Sequence, residues 1–159
     1  LLKCLANYLN SNHETLTYNS QSLKPIDTAY ASTDERSFFP KLTLKENLRF
    51  FKKFYGSTIA MDEWTEALKI TPHLNKEFQA CSTGIKKRTS LLRSIIKESP
   101  ILLLDEPFAN MDPEFKTKLQ SLLFSHPNMD SKITIFTSNN PIEHTAISKT
   151  LKLEPTETP

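Results

Sequence analysis

The sequence predicts an α/β fold with a mostly parallel sheet and a helical region inserted between its strands. Three observations carry that expectation. Residues 101–104 are an unbroken run of Ile and Leu with Pro100 before it and acids after it, which suits a strand buried on both faces. Residues 133–137 are rich in β-branched side chains and read as a second central strand. Strand and helix patterns alternate after residue 84, whereas residues 44–98 are almost wholly helical in pattern.

In chain order, Leu1, Leu2, Leu5, Ala6 and Leu9 recur at helical spacing without a start signal, so a helix is expected that begins upstream of Leu1. Residues 15–18 alternate like a strand and meet a turn at Asn19 and Ser20. Residues 28–31 form a short strand pattern, followed by a polar loop over 32–37. Thr43 and Glu46 have capping-box spacing, Leu44, Leu48, Phe51 and Tyr55 then line one helical face, and Gly56 is a C-terminal stop. Further helices are expected over 62–70 and over 85–98, the latter with Leu91, Leu92, Ile95 and Ile96 as its stripe. Asp112 and Pro113 are a cap and first-turn pair, and Phe115, Leu119, Leu122 and Leu123 give the buried face behind them. Residues 151–153 read as a final strand and 154–159 as a flexible, proline-punctuated tail.

Composition narrows the function classes. The chain has 159 residues, about one domain, and 38% hydrophobic residues suffice for a core. A net charge of +2 is too mild for nucleic acid to be the main partner. There is no apolar run of about 18 residues to span a membrane and no secretory signal pattern, so a reducing compartment is expected. Cys4 and Cys81 have no zinc-type spacing, and neither do His13, His73, His126 and His144. The only glycines are Gly56 and Gly84, so the chain contains no complete glycine-rich phosphate loop.

The residue types with chemistry fall in three places. Asp105 and Glu106 end the apolar strand, and the carboxyl edge of such a sheet is where α/β proteins bind ligands. An aspartate there can hold Mg²⁺, which prefers oxygen ligands, and a neighbouring glutamate can orient or deprotonate a water. Ser82, Thr83 and Gly84 open a helix, where free N–H groups favour anions and a glycine lets backbone come close to a ligand; a plain cap with a solvated basic first turn is the competing reading. Asp112 lies six residues past Glu106 and reads equally as a helix cap.

In this order and spacing the segments resemble the nucleotide-binding domain of an ATP-binding cassette (ABC) ATPase. Residues 82–88 (S-T-G-I-K-K-R) resemble the family's signature motif in its exporter variant S-T-G-M-K-Q-R. Residues 101–106 are similar to the Walker B strand with its catalytic glutamate, 109–112 resemble the D-loop, and 39–48 look like the segment after the Q-loop. The resemblance implies a P-loop NTPase-like fold in which 1–153 are a partial nucleotide-binding domain, with a helical subdomain over about 41–98 and the first strand and P-loop missing. It implies ATP and Mg²⁺ as cofactors, Asp105 as metal ligand, Glu106 as catalytic residue, and Ser82, Thr83, Gly84 and Asp112 as nucleotide-contacting residues. It also implies a second ABC ATPase subunit and a transmembrane permease as partners, no nucleic acid, and a peripheral position on the cytoplasmic face of a membrane. The aromatics Phe50, Phe51, Phe54, Tyr55 and Trp64 could serve that permease, although core packing is expected for most of them.

The sequence departs from the family pattern in three ways. Residues 1–6 resemble the helix directly after the P-loop, so the chain reads as truncated at its start, and the isolated chain is expected to bind ATP negligibly. Asn139 stands where the family usually has the switch histidine, and the resemblance makes it a second catalytic residue; it can donate a hydrogen bond to a γ-phosphate but cannot take up a proton or a positive charge. Loss of one transition-state donor costs roughly a hundred- to a thousandfold in rate. His144 is expected on the following helix, outside that role. Thr33 or Asp34 occupies the Q-loop position, and neither is glutamine. The expected function is therefore an export-type ATP-hydrolysing subunit. The alternatives are a haem-exporter-type ATPase of cytochrome c maturation, a weakly hydrolysing nucleotide-responsive scaffold, and a soluble cassette protein.

Overall fold

The computed structural model describes Leu2 and residues 17–18, 20–22, 24–31, 37–109, 111–142 and 144–150. Apart from Leu2, the expected opening helix lies outside the described residues, as do the 32–36 loop with Thr33 and Asp34, the 151–153 strand and the tail.

A small antiparallel hairpin comes first. Its strands β1 (Thr17–Tyr18) and β2 (Gln21–Ser22) pair Thr17 with Ser22 and Tyr18 with Gln21 around Ser20, which has a left-handed φ of 62°. Strand β2 was not legible in the sequence. The main sheet consists of β3 (Thr28–Ala31), β4 (Ile101–Leu104) and β5 (Ile133–Phe136) in the order β3-β4-β5, with every pair parallel. Parallel neighbours need long crossovers, and the chain supplies them with helices. Between β3 and β4 run α1 (Leu44–Tyr55), α2 (Met61–Ala67) and α3 (Thr83–Ile96); between β4 and β5 runs α4 (Pro113–Ser125).

Helices α1, α3 and α4 begin where a side chain satisfies a free backbone N–H, while α2 starts after Ala60 without such a cap. Thr43 and Glu46 form the reciprocal box at the start of α1, and Gly56 ends the helix at φ 66°. Buried Asn47 fastens the entry to this helix by donating to the carbonyls of Phe39 and Leu42 at 3.0 and 3.2 Å. Ser82 caps α3 and Asp112 caps α4. The 62–70 helix is shorter than expected: α2 stops at Ala67 and the chain turns through Lys69, whose φ is 54°. Helix α3 begins two residues earlier than expected, at Thr83, because the cap, not the apolar stripe, sets its start.

Strand β4 is buried along its whole length. Its alternate side chains feed two apolar groups. Leu102 and Leu104 join the main core with the helices, including Leu48, Trp64, Leu92 and Phe115; Ile101 and Leu103 meet Leu2 on the opposite face, with Tyr30 against them. Strand β5 corrects the expectation of a second central strand. Among the described residues it is the sheet's edge, and Ile133 and Ile135 are exposed. The aromatic group of α1 and α2 also divides. Phe51 and Trp64 are buried and Tyr55 is half-buried, but Phe50 and Phe54 point outward at 43% and 70% exposure.

Candidate functional site

The carboxyl end of β4 delivers Asp105 and Glu106 to the edge of the sheet, and both neighbouring strands meet them there. The Asp105 N–H donates to the Ala31 carbonyl at 3.1 Å, and the Thr137 N–H donates to the Leu104 carbonyl at 3.0 Å. The ladder therefore continues one step past the strands and brings Thr137 beside the acids. The Thr137 hydroxyl donates to Asp105 Oδ1 at 2.9 Å and accepts from the Glu106 N–H at 3.0 Å. From β3, the Tyr30 hydroxyl donates to Asp105 Oδ2 at 3.3 Å. Each oxygen of Asp105 is thus held by a different strand.

Glu106 sits in the left-handed region at φ 46°, an unfavourable place for a non-glycine residue that costs about 1–2 kcal/mol. Three contacts hold it there besides Thr137. Asn139 Nδ2 donates to Glu106 Oε1. The Glu106 carbonyl accepts from the Ala109 N–H at 3.2 Å and from Lys87 Nζ at 2.7 Å. Burial pushes the Lys87 ammonium below its usual range, while the charges of Glu106 and Asp105 oppose that shift.

The expected residues are thus partly assembled. Asp105, Glu106 and Asn139 come together. Ser82, Thr83 and Gly84 stand exposed at the start of α3, where the Ser82 hydroxyl accepts from the Ile85 N–H at 3.4 Å. Asp112 performs the cap work foreseen for it, accepting from the Phe115 N–H at 2.8 Å. His144 is not helical as expected; its ring packs against Phe124, with centroids 4.6 Å apart. The basic first turn after Gly84 is not simply solvated. Lys87 and Arg88 are half-buried, and the Arg88 guanidinium lies 4.0 Å from the Phe115 ring centre.

Sequence reasoning missed Tyr30, Thr137 and Lys87 as site residues. Their only sequence signal is position: one near the end of each flanking strand pattern, one a helical turn beyond Gly84. Among the described residues no group of three His, Cys, Asp or Glu side chains gathers to cage a metal. Two adjacent carboxylates at a sheet edge fit Mg²⁺, which is held by one or two carboxylates with waters and phosphate oxygens completing its shell.

Comparison with known proteins identifies the family and the fold. The family model described as "ABC transporter" matches residues 1–109. The human ATP-binding cassette sub-family A member 10 is 30% identical over 118 residues, 71% of this chain and 8% of that protein. An uncharacterized ABC transporter ATP-binding protein of Bacillus subtilis is 26% identical over 116 residues, 70% of this chain and 38% of that protein. The chain therefore spans well under half the length of these curated relatives. In solved structures, an ATP-binding protein assigned to an ABC transporter of Pyrococcus furiosus superposes with a TM-score of 0.71 at 21% identity. That superposition covers 90% of this chain and 72% of the other, and at such identity it shows the shared P-loop NTPase fold.

Proposed function

The chain belongs to the ABC transporter family, and on that premise we propose that it is part of an export-type subunit that binds and hydrolyses ATP to drive a membrane permease. The observation that carries the reading is the assembly of Asp105, Glu106 and Asn139 at the end of β4, two of them through Thr137. Asp105 is the residue that would hold Mg²⁺, with its carboxylate oriented by Tyr30 and Thr137. Mg²⁺, when bound, supplies neutralisation of phosphate charge. Glu106 accepts the proton of, or orients, the attacking water. Asn139 donates to the Glu106 carboxylate and fixes its direction. Ser82, Thr83 and Gly84 present a hydroxyl and free helix N–H groups outward, in the manner suited to phosphates held by a second ATPase subunit.

The helical subdomain over about 41–98 is proposed as the permease-facing part, at the cytoplasmic face of a membrane. Phe39, Leu42, Phe50 and Phe54 are exposed together there, with the Phe39 and Phe50 rings 4.9 Å apart, and an apolar surface of this kind favours a protein partner. Among the described residues no helix is long and apolar enough to cross a membrane.

A second reading, a nucleotide-responsive scaffold with weak hydrolysis, is favoured by one observation: the side chain facing Glu106 is the uncharged amide of Asn139. ATP turnover of the protein expressed from its intact gene separates the two. Glu106→Gln is expected to lower the rate at least about a hundredfold, the scale of a lost general base. Equal rates for both proteins overturn the enzyme reading and leave the scaffold.

A further inference from the structure

Helix α3 begins at the exposed residues 82–84 and, one turn later, sends Lys87 to the other half of the site. Its Nζ is 2.7 Å from the carbonyl oxygen of Glu106. That carbonyl also accepts the Ala109 N–H at 3.2 Å, so the ammonium joins the bond that closes the turn. Glu106 is the residue in that turn with left-handed backbone, φ 46°, and such a conformation persists only where surrounding contacts over-determine it.

We propose that Lys87 is a positioning residue for Glu106: its ammonium holds the carbonyl of the left-handed turn and so ties the Ser82 end of α3 to the carboxylate at the end of β4.

The neighbouring side chain grips the far end of the same stretch. Arg88 lies 4.0 Å over the Phe115 ring in the first turn of α4; burial there disfavours its charge, and Asp112, the residue that caps α4, opposes that effect. Consecutive residues of one helix thereby hold both ends of the segment from Glu106 to Asp112. A lysine has three donors on a flexible stem, and burying half of it against a backbone carbonyl is unfavourable unless the contact is used. The contact has a direction: displacement of the start of α3 is transmitted to the backbone of Glu106 and from there to its side chain. In the dimer of the proposed function, residues 82–84 report on the partner's nucleotide while Glu106 serves this chain's own. Lys87 would then couple the two, an inference that rests on that reading for its consequence in turnover.

The first measurement needs no nucleotide. Amide hydrogen exchange is followed in the protein expressed from its intact gene and carrying Lys87→Met, which keeps the stem and removes the donor. The Ala109 amide is expected to exchange about tenfold faster, as for one charged hydrogen bond lost, with α1 unaffected. Lys87→Arg, which keeps a charged donor, is expected to restore most of the protection. No change at Ala109, or a uniform rise throughout the chain, overturns the proposal.

The second measurement is turnover of the protein from its intact gene. Lys87→Met is expected to lower kcat about tenfold with the KM for ATP within about twofold, and Lys87→Arg to recover part of it. A raised KM with unchanged kcat counts against positioning. Turnover that ignores Glu106→Gln defeats the proposed function and leaves the exchange result standing. Turnover that needs Glu106 but ignores Lys87→Met defeats this proposal alone.

Discussion

The turn after β4 and the turn before α3 are short, polar and adjacent to long elements, yet the chain treats them in opposite ways. Asp105 and Glu106 are engaged by Tyr30, Lys87, Thr137 and Asn139, which come from three other stretches of the sequence. Ser82, Thr83 and Gly84 are exposed, and among the described residues the side-chain bond there is the cap, in which the Ile85 N–H donates to the Ser82 hydroxyl. The difference teaches how the proposed labour is divided. Groups that must hold an orientation within one chain are fixed by that chain, because a carboxylate left to rotate loses the benefit of preorganisation. Groups that complete another molecule's site remain open until that molecule arrives.

The largest effect that sharpens this contrast is expected at Thr137. Thr137→Val keeps the shape but leaves the Glu106 N–H and one oxygen of Asp105 without their partner, at a cost of about 2 kcal/mol in chemical denaturation. A loss below about 0.5 kcal/mol would mean that the acids are not held as described.

Next come the caps, one from each region. Asp112→Ala is expected to cost about 1 kcal/mol, since its bond to the Phe115 N–H is short at 2.8 Å. Ser82→Ala is expected to cost about half as much, because its bond is 3.4 Å long and exposed. Thermal melting of the two variants side by side checks the order, and a reversed order breaks the contrast.

The smallest effect on folding is expected at Gly84. A Cβ added there meets nothing within 4 Å, so Gly84→Ala should leave stability unchanged or raise it by up to about 1 kcal/mol through helix propensity. Turnover should fall all the same if backbone at this point must approach a partner's nucleotide. Denaturation together with ATP turnover tests both halves; a destabilised Gly84→Ala protein would show that this turn is structural after all.

Much of this was legible from local pattern. Helix caps act over three or four residues, so the Thr43 box and the Asp112 cap announced the starts of α1 and α4, whereas the apolar pattern behind Ser82 put the start of α3 two residues late. The Ile-Leu run of β4 announced burial on both faces, since nothing polar interrupts it. β-branched composition reports compatibility with a pleated backbone, not a place in the middle of a sheet, and among the described residues β5 lies at the edge. Composition left open which aromatics face outward, because an aromatic residue satisfies a core and a docking face equally well, and the structure turned Phe50 and Phe54 out.

What the sequence by itself determined is the set of elements, their caps, the pair of acids after β4 and the family resemblance these carry, because each is written in residues close together along the chain. Only the tertiary structure decided which side chains hold those acids. Tyr30 is 75 residues from Asp105, Thr137 is 32, and Lys87 is 19 residues from Glu106. Such partners meet through the parallel register of β3, β4 and β5 and the packing of α3, and no local period encodes a contact made across a sheet.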